Sequence, residues 1–139
     1  MKKIFIYFLL LNTILVHSCH KEQFDCKDCM WNEPAEVKLI VTSDPLKNGM
    51  YRQPEIRVYE GNIEDSILVD LRSTYESSST ISVVVNKKYT ITATYYYYHS
   101  KTYVVVDSVI PGIDYAGEKC DHPCFITINN KVNLQLKYM

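Results

Sequence analysis

From Glu36 onward the chain alternates apolar and polar residues with a period of two, and this pattern limits its fold more than any other feature. In the stretch 36–42, Val37, Leu39 and Val41 fall on one face, with Glu36, Lys38 and Thr42 on the other. The pattern returns over 55–60, with Ile56 and Val58 inward and Arg57 outward. It returns over 66–73, where Ile67, Val69 and Leu71 alternate with Leu68, Asp70 and Arg72. A β-branched run over 80–85 meets the turn pair Asn86-Lys87 and predicts a hairpin with 88–98. In that partner Tyr89, Ile91, Ala93, Tyr95 and Tyr97 share one face, and Thr90, Thr92, Thr94, Tyr96 and Tyr98 share the other. A turn at His99-Ser100-Lys101 leads into 102–109. A last hairpin is expected between 125–128 and 132–138, around Asn129-Asn130-Lys131.

About eight short strands and no amphipathic helix after the leader predict an all-β fold, an antiparallel β-sandwich of seven to eight strands. Facing two apolar sheet surfaces together is how such strands bury their inward residues. Composition agrees: the chain has only four glycines and 12 tyrosines, and Thr, Val, Ile and Tyr dominate its second half, as a pleated, half-buried surface favours.

Pro54-Glu55-Ile56-Arg57-Val58-Tyr59-Glu60-Gly61 resembles an early strand of the transthyretin-like, carboxypeptidase-regulatory-like domains. Lys88-Tyr89-Thr90-Ile91-Thr92-Ala93 resembles a later strand of the same domains, although Lys87-Lys88 replaces their usual glycine before the tyrosine. The resemblance implies a seven-stranded sandwich acting as a non-catalytic accessory module. An immunoglobulin-like strand order is the alternative.

The first nineteen residues have a different composition. Met1-Lys2-Lys3 is basic, and Ile4 to Val16 is an apolar run of 13 residues broken only by Asn12 and Thr13. A membrane-spanning helix needs roughly 20 residues. A charged start, a short apolar centre and the small residue Ser18 read as a signal peptide over 1–18. Val16-His17-Ser18-Cys19 resembles a bacterial lipobox. That resemblance implies a diacylglycerol on the Cys19 thiol and cleavage before it. The alternative is an ordinary signal peptide cut near Ser18. Further acyl chains on the new N-terminus would make the anchor stable, since one chain alone holds only marginally. His20 stands where the enterobacterial scheme puts Asp for inner-membrane retention, so the outer membrane is the expected site. In some Gram-negative groups acidic residues after the cysteine accompany surface display, and Glu22, Asp25 and Asp28 are of that kind. The periplasmic and surface faces both remain open.

Residues 19–35 are polar and read as a tether, with Met30 and Trp31 placed to end it by packing on the domain at 36–139. Its first sixteen residues, 19–34, would if flexible reach about 20–25 Å. Lys and Arg number 15 and Asp and Glu 16, and two of the bases lie in the leader, so the exported part is mildly acidic. With no basic patch, nucleic acid is not an expected partner.

Four cysteines follow Cys19: Cys26 and Cys29 in the tether, Cys120 and Cys124 in a late loop. An exported chain meets an oxidising compartment, so disulfides between tether and loop are expected, with the pairing left open. Each could stabilise by about 4–5 kcal/mol through loop closure. A second reading is a zinc site of four thiolates, with His122 as a substitute ligand. A third is redox chemistry at Cys26-Lys27-Asp28-Cys29, which would need a helix N-terminus and a βαβ context that the sequence lacks.

Tyr96, Tyr98 and Tyr103 form the candidate ligand surface, an aromatic platform for sugar rings or a protein partner. Cross-strand aromatic packing is the structural alternative. Asp114, Glu118 and Asp121 are clustered but lack EF-hand spacing. His99 and His122 sit in turns, and no nucleophile elbow, zinc-protease motif or phosphate loop occurs. These features predict a non-catalytic cell-envelope lipoprotein without a cofactor, a binding or assembly module held at a membrane by its lipid.

Overall fold

A computed structural model describes residues 26–117, 120 and 122–137. The leader, the lipobox, Cys19, Glu118 and Asp121 lie outside the described residues. Nine strands run in the order β1 (Glu36–Thr42), β2 (Met50–Glu60), β3 (Ile67–Ser73), β4 (Ser78–Val84), β5 (Tyr89–Tyr97), β6 (Lys101–Val109), β7 (Gly112–Gly117), β8 (Cys124–Ile128) and β9 (Lys131–Asn133). They form a three-stranded sheet, β4-β1-β9, a four-stranded sheet, β3-β2-β5-β6, and a separate hairpin, β7-β8. The fold is all-β and sandwich-like, with nine strands where about eight were expected.

The core lies between the two larger sheets. β1 contributes Val37, Leu39 and Val41, and β4 contributes Ile81 and Val83. Against them stand Ile56 and Val58 of β2 and the inward face of β5, from Tyr89 to Tyr95. Leu39, Ile56, Ile91 and Leu134 are fully buried, each contributing about 1.5–3 kcal/mol from apolar burial. Thr90 and Thr92 point outward and are still buried. β5 is central, so cross-strand neighbours cover these short side chains; Arg57 and Val106 flank Thr92.

Two tyrosines cross the core and end on the backbone of the opposite side. The Tyr89 hydroxyl accepts from the Val84 N–H at 3.0 Å and lies 3.2 Å from the Val84 carbonyl, to which it donates. The Tyr95 hydroxyl donates to the Leu134 carbonyl at 2.7 Å and accepts from the Asp44 N–H at 3.1 Å. The Asp44 carboxylate in turn accepts from the Leu136 N–H and from Lys47 Nζ, both at 2.7 Å. Burial of these phenols without satisfied hydroxyls would be unfavourable, and the bonds also fix how the sheets sit together.

Three sequence expectations need correction. The hairpin expected between 80–85 and 88–98 does not form: β4 pairs with β1, and β5 pairs with β2 and β6, so the turn at Asn86-Lys87 carries the chain from one sheet to the other. The apolar residues of β3 do not enter the core: Ile67, Leu68, Val69 and Leu71 are all exposed. β3 is an edge strand, and a bulge opposite Val58/Tyr59 breaks its alternation, so its apolar residues mark a strand without being buried. The expected final hairpin also does not form. β8 pairs with β7, and β9 lies parallel to β1, with Ile40 opposite Lys131. Asn129 has φ 52°, the Ile40 N–H donates to the Asn130 carbonyl at 2.7 Å, and Asn130 Nδ2 donates to the Lys38 carbonyl at 3.0 Å. The two asparagines hand the chain to the open edge of β1 and do not reverse it. A reversal would have left that edge unpaired.

Candidate functional site

The chain enters β1 at Glu36, which stands opposite Val84, the residue whose backbone holds the Tyr89 hydroxyl. The Ala35 carbonyl accepts from the Val85 N–H at the same end. Tyr96 lies seven residues further along β5, about 23 Å away at the rise of an extended strand. The chain thus enters β1 at the end of the sandwich away from the tyrosine-rich segment.

At the tyrosine end β2 carries two irregularities against β5, one between Met50 and Arg52 and one between Arg52 and Glu55. Met50 stands opposite Tyr97 and is buried, while Arg52 stands opposite Tyr96. Tyr51 is the extra residue between them. A bulge of this kind re-aims side chains, and here Tyr51 and Arg52 come to the same outer surface as Tyr96 and Tyr98. The Tyr51 ring lies 6.0 Å from the Tyr96 ring and 6.0 Å from the Tyr98 ring, tilted to both. The Arg52 guanidinium carbon lies 3.4 Å from the centre of the Tyr96 ring. Pro54, which has no N–H to give a ladder, occupies the second irregularity and is buried.

Beside this cluster is an open groove of about 400 Å³, lined by Leu46, Tyr51, Arg52, Gln53, Glu55, Ser73 and Tyr75. It exists because β3 pairs with β2 only between Glu55 and Glu60, leaving the Tyr51–Gln53 stretch uncovered on that side. Tyr51, Tyr75 and Tyr98 are each more than half exposed. Glu55 pairs with Arg57 at 2.6 Å, and Lys47 pairs with Asp44 at 2.7 Å. Among the described residues no carboxylate pairs with Arg52, so its N–H edges face solvent over an aromatic base. Flat exposed rings beside amide, carboxyl, hydroxyl and guanidinium groups can stack on the C–H face of a sugar ring and bond its hydroxyls.

Of the three tyrosines nominated from sequence, Tyr96 and Tyr98 meet through Tyr51. Tyr103 does not join them. It stands opposite Tyr95 in the β5–β6 pairing, on the inward face, and packs edge-on against Tyr97 at 5.5 Å. Tyr51, Arg52 and Tyr75 went unnoticed in the sequence, because the bulges that gather them carry no residue signature beyond Pro54.

The four cysteines form two bridges, Cys26–Cys120 and Cys29–Cys124, with Cα atoms 5.8 and 5.0 Å apart. Both join the tether to the late loop, as the compartment argument expects. Cys124 is fully buried. Met30 exchanges backbone hydrogen bonds with Phe125 of β8 at 2.9 and 3.0 Å, so the tether adds a short rung to the β7-β8 hairpin. Trp31 stacks on His122, ring centres 4.5 Å apart, and is otherwise largely exposed. The residues from Cys26 on are therefore fixed to the domain, which shortens any free tether.

The sulfurs of Cys26, Cys29 and Cys120 lie within 4.8 Å of one another, and Cys29 Sγ is 3.3 Å from Cys120 Sγ. As disulfides these atoms carry no thiolate, so a zinc or redox role would first require both bridges to open. His99 is exposed in the Tyr98–Ser100 turn, and His122 Nδ1 lies 2.9 Å from the Pro123 carbonyl. Asp114 is exposed on β7.

No family model, no curated protein and no solved structure matches this chain.

Proposed function

We propose that this chain is a non-catalytic lipoprotein of the bacterial cell envelope that binds a glycan through the tyrosine-rich end of its β-sandwich. The observation that carries the reading is the outward-facing cluster of exposed Tyr51 and Tyr98 around half-buried Tyr96, with Arg52 over the Tyr96 ring and, among the described residues, no carboxylate paired with it. Three tyrosines and an arginine gathered on one outer surface, two of the rings more than half exposed, beside a groove of sugar size, support this reading.

The anchor side of the proposal rests on the lipobox-like Val16-His17-Ser18-Cys19. Acyl chains on Cys19 would hold the protein at the outer membrane. The disulfide-tied segment leaves the sandwich at the end away from the tyrosines, so the tether does not obstruct the binding face. Retention of the purified protein on a panel of immobilised polysaccharides tests the ligand class. Binding to none of them, with the tyrosines intact and the fold verified, would remove the glycan reading.

A further inference from the structure

We infer that the chain forms a symmetric dimer by pairing the β6 edge strand with the β6 of a second copy. The two larger sheets have four edges, and three of them are protected. β9 is only three residues long. β3 is distorted by its bulge and carries Asp70 and Arg72, which pair with each other. β4 is covered in part by Arg72, whose Nη1 donates to the Thr80 carbonyl at 3.1 Å. β6 has none of these devices along its centre. It runs nine residues, Lys101–Val109, in unbroken register with β5, and among the described residues it pairs with no other strand, although β9 passes close to it. Val104 and Val106 are more than half exposed. Long, regular, apolar edges of this kind recruit another strand.

The sequence of β6 matches itself. An antiparallel pairing centred on Val104 sets Val104 opposite Val104, Thr102 opposite Val106, and Lys101 opposite Asp107, each pair occurring twice about the twofold axis. The two charges of the strand meet opposite charges at both ends, and the exposed valines meet apolar or β-branched partners.

Backbone direction fits as well. The Tyr98 N–H bonds to the Gly49 carbonyl, and the Lys88 carbonyl accepts from the Gly61 N–H, so even-numbered residues along β5 turn their backbone groups toward β2. Odd-numbered ones therefore face β6, and their partners there are odd-numbered too. Thr102, Val104 and Val106 turn their N–H and C=O groups to the open edge, as the centred pairing requires. The Ser108 N–H agrees: it donates to its neighbour Asp107 at 2.8 Å. The twofold axis stands perpendicular to the sheet, so both tyrosine clusters face the same side, with the two Tyr96 backbones about 20 Å apart. This inference rests on the sheet edge alone and stands whether or not the ligand is a glycan.

The test is the mass of the purified full-length protein in mild detergent, by light scattering with the detergent contribution removed, across a concentration series. The wild type should pass from monomer to dimer. Val104→Lys sets two ammonium groups against each other at the axis and should leave a monomer. Val104→Pro removes only an outward-facing N–H and should do the same while thermal unfolding confirms the fold. Lys101→Asp should weaken the dimer about tenfold, and Lys101→Asp with Asp107→Lys should restore it. A wild type that stays monomeric at about 100 μM, where a standard interface is occupied, overturns the inference. So does a dimer indifferent to Val104→Lys, or one that the double charge exchange fails to restore.

Discussion

The guanidinium carbon of Arg52 lies over the ring of Tyr96, 3.4 Å from its centre, in a place where two breaks in the β2 register bring them together. The contact holds the arginine over a half-buried aromatic ring, and among the described residues no carboxylate pairs with its N–H donors. A cation on an exposed ring contributes only about 0.5–1 kcal/mol. Arg52→Ala should therefore change urea stability by no more than about 1 kcal/mol and yet weaken glycan retention. Arg52→Lys should recover little of the binding, since an ammonium lacks the planar fork. Equal loss of stability and binding would mean that Arg52 serves the fold.

The Tyr95 hydroxyl satisfies two backbone groups, the Leu134 carbonyl and the Asp44 N–H. Tyr95→Phe should destabilise by about 1–3 kcal/mol, the usual cost of leaving buried polar groups unpaired. Chemical denaturation of the oxidised protein at neutral pH reads this directly.

The same residue gives a pH dependence. Burial pushes the Tyr95 phenol up to about 12, partly offset by the bond from the Asp44 N–H. An unfolded tyrosine titrates near 10. Between those values the unfolded chain has released its proton and the folded chain has kept it. Stability from this group is thus complete below about pH 10 and falls as pH rises toward 12. Tyr95→Phe should flatten that part of the stability–pH curve. An unchanged slope would assign the effect to other groups.

Cys26–Cys120 and Cys29–Cys124 close nearly the same loop, with separations of 94 and 95 residues. Loop entropy therefore predicts strong non-additivity. The first bridge contributes about 4–5 kcal/mol, but the second then closes only a ring of about nine residues and contributes about 2–3 kcal/mol. Cys26→Ala/Cys120→Ala should lose about 2–3 kcal/mol, and removal of all four sulfurs about 7 kcal/mol. Peptide mapping without reductant should recover these two pairs. A reduced protein as stable as the oxidised one would show that loop closure is not what the bridges provide.

Lipid attachment at Cys19 has a direct chemical readout. The N-terminal peptide should begin at Cys19 and carry acyl chains, and Cys19→Ser should release the protein from membranes. A free thiol there, on a protein that already washes off, would remove the anchor from the account.

Much of the sandwich was legible because its central strands are half-buried in a simple way. Val37, Leu39 and Val41 alternate because β1 has one wet and one dry face; β5 splits its tyrosines and threonines between the core and the outer face, although its neighbours bury Thr90 and Thr92 as well. β3 misled because an edge strand can carry Ile67, Leu68, Val69 and Leu71 without burying them. The β8–β9 segment misled because two asparagines can steer a chain to a neighbouring edge as readily as they can reverse it. The cysteine bridges followed from compartment and parity, though not their pairing. Half of the tyrosine cluster was visible, since alternation puts Tyr96 and Tyr98 outward. The other half depends on bulges in β2, which are decided by contacts far apart in sequence.

The central claim is that the outward tyrosines hold a sugar. It is tested most directly by measuring polysaccharide retention for the wild type and for Tyr51→Ala/Tyr98→Ala. Both residues are more than half exposed, so the variant should unfold at the same temperature as the wild type. The variant should lose at least about tenfold in affinity, as loss of two stacking rings implies. Full retention by the folded double variant would contradict the claim.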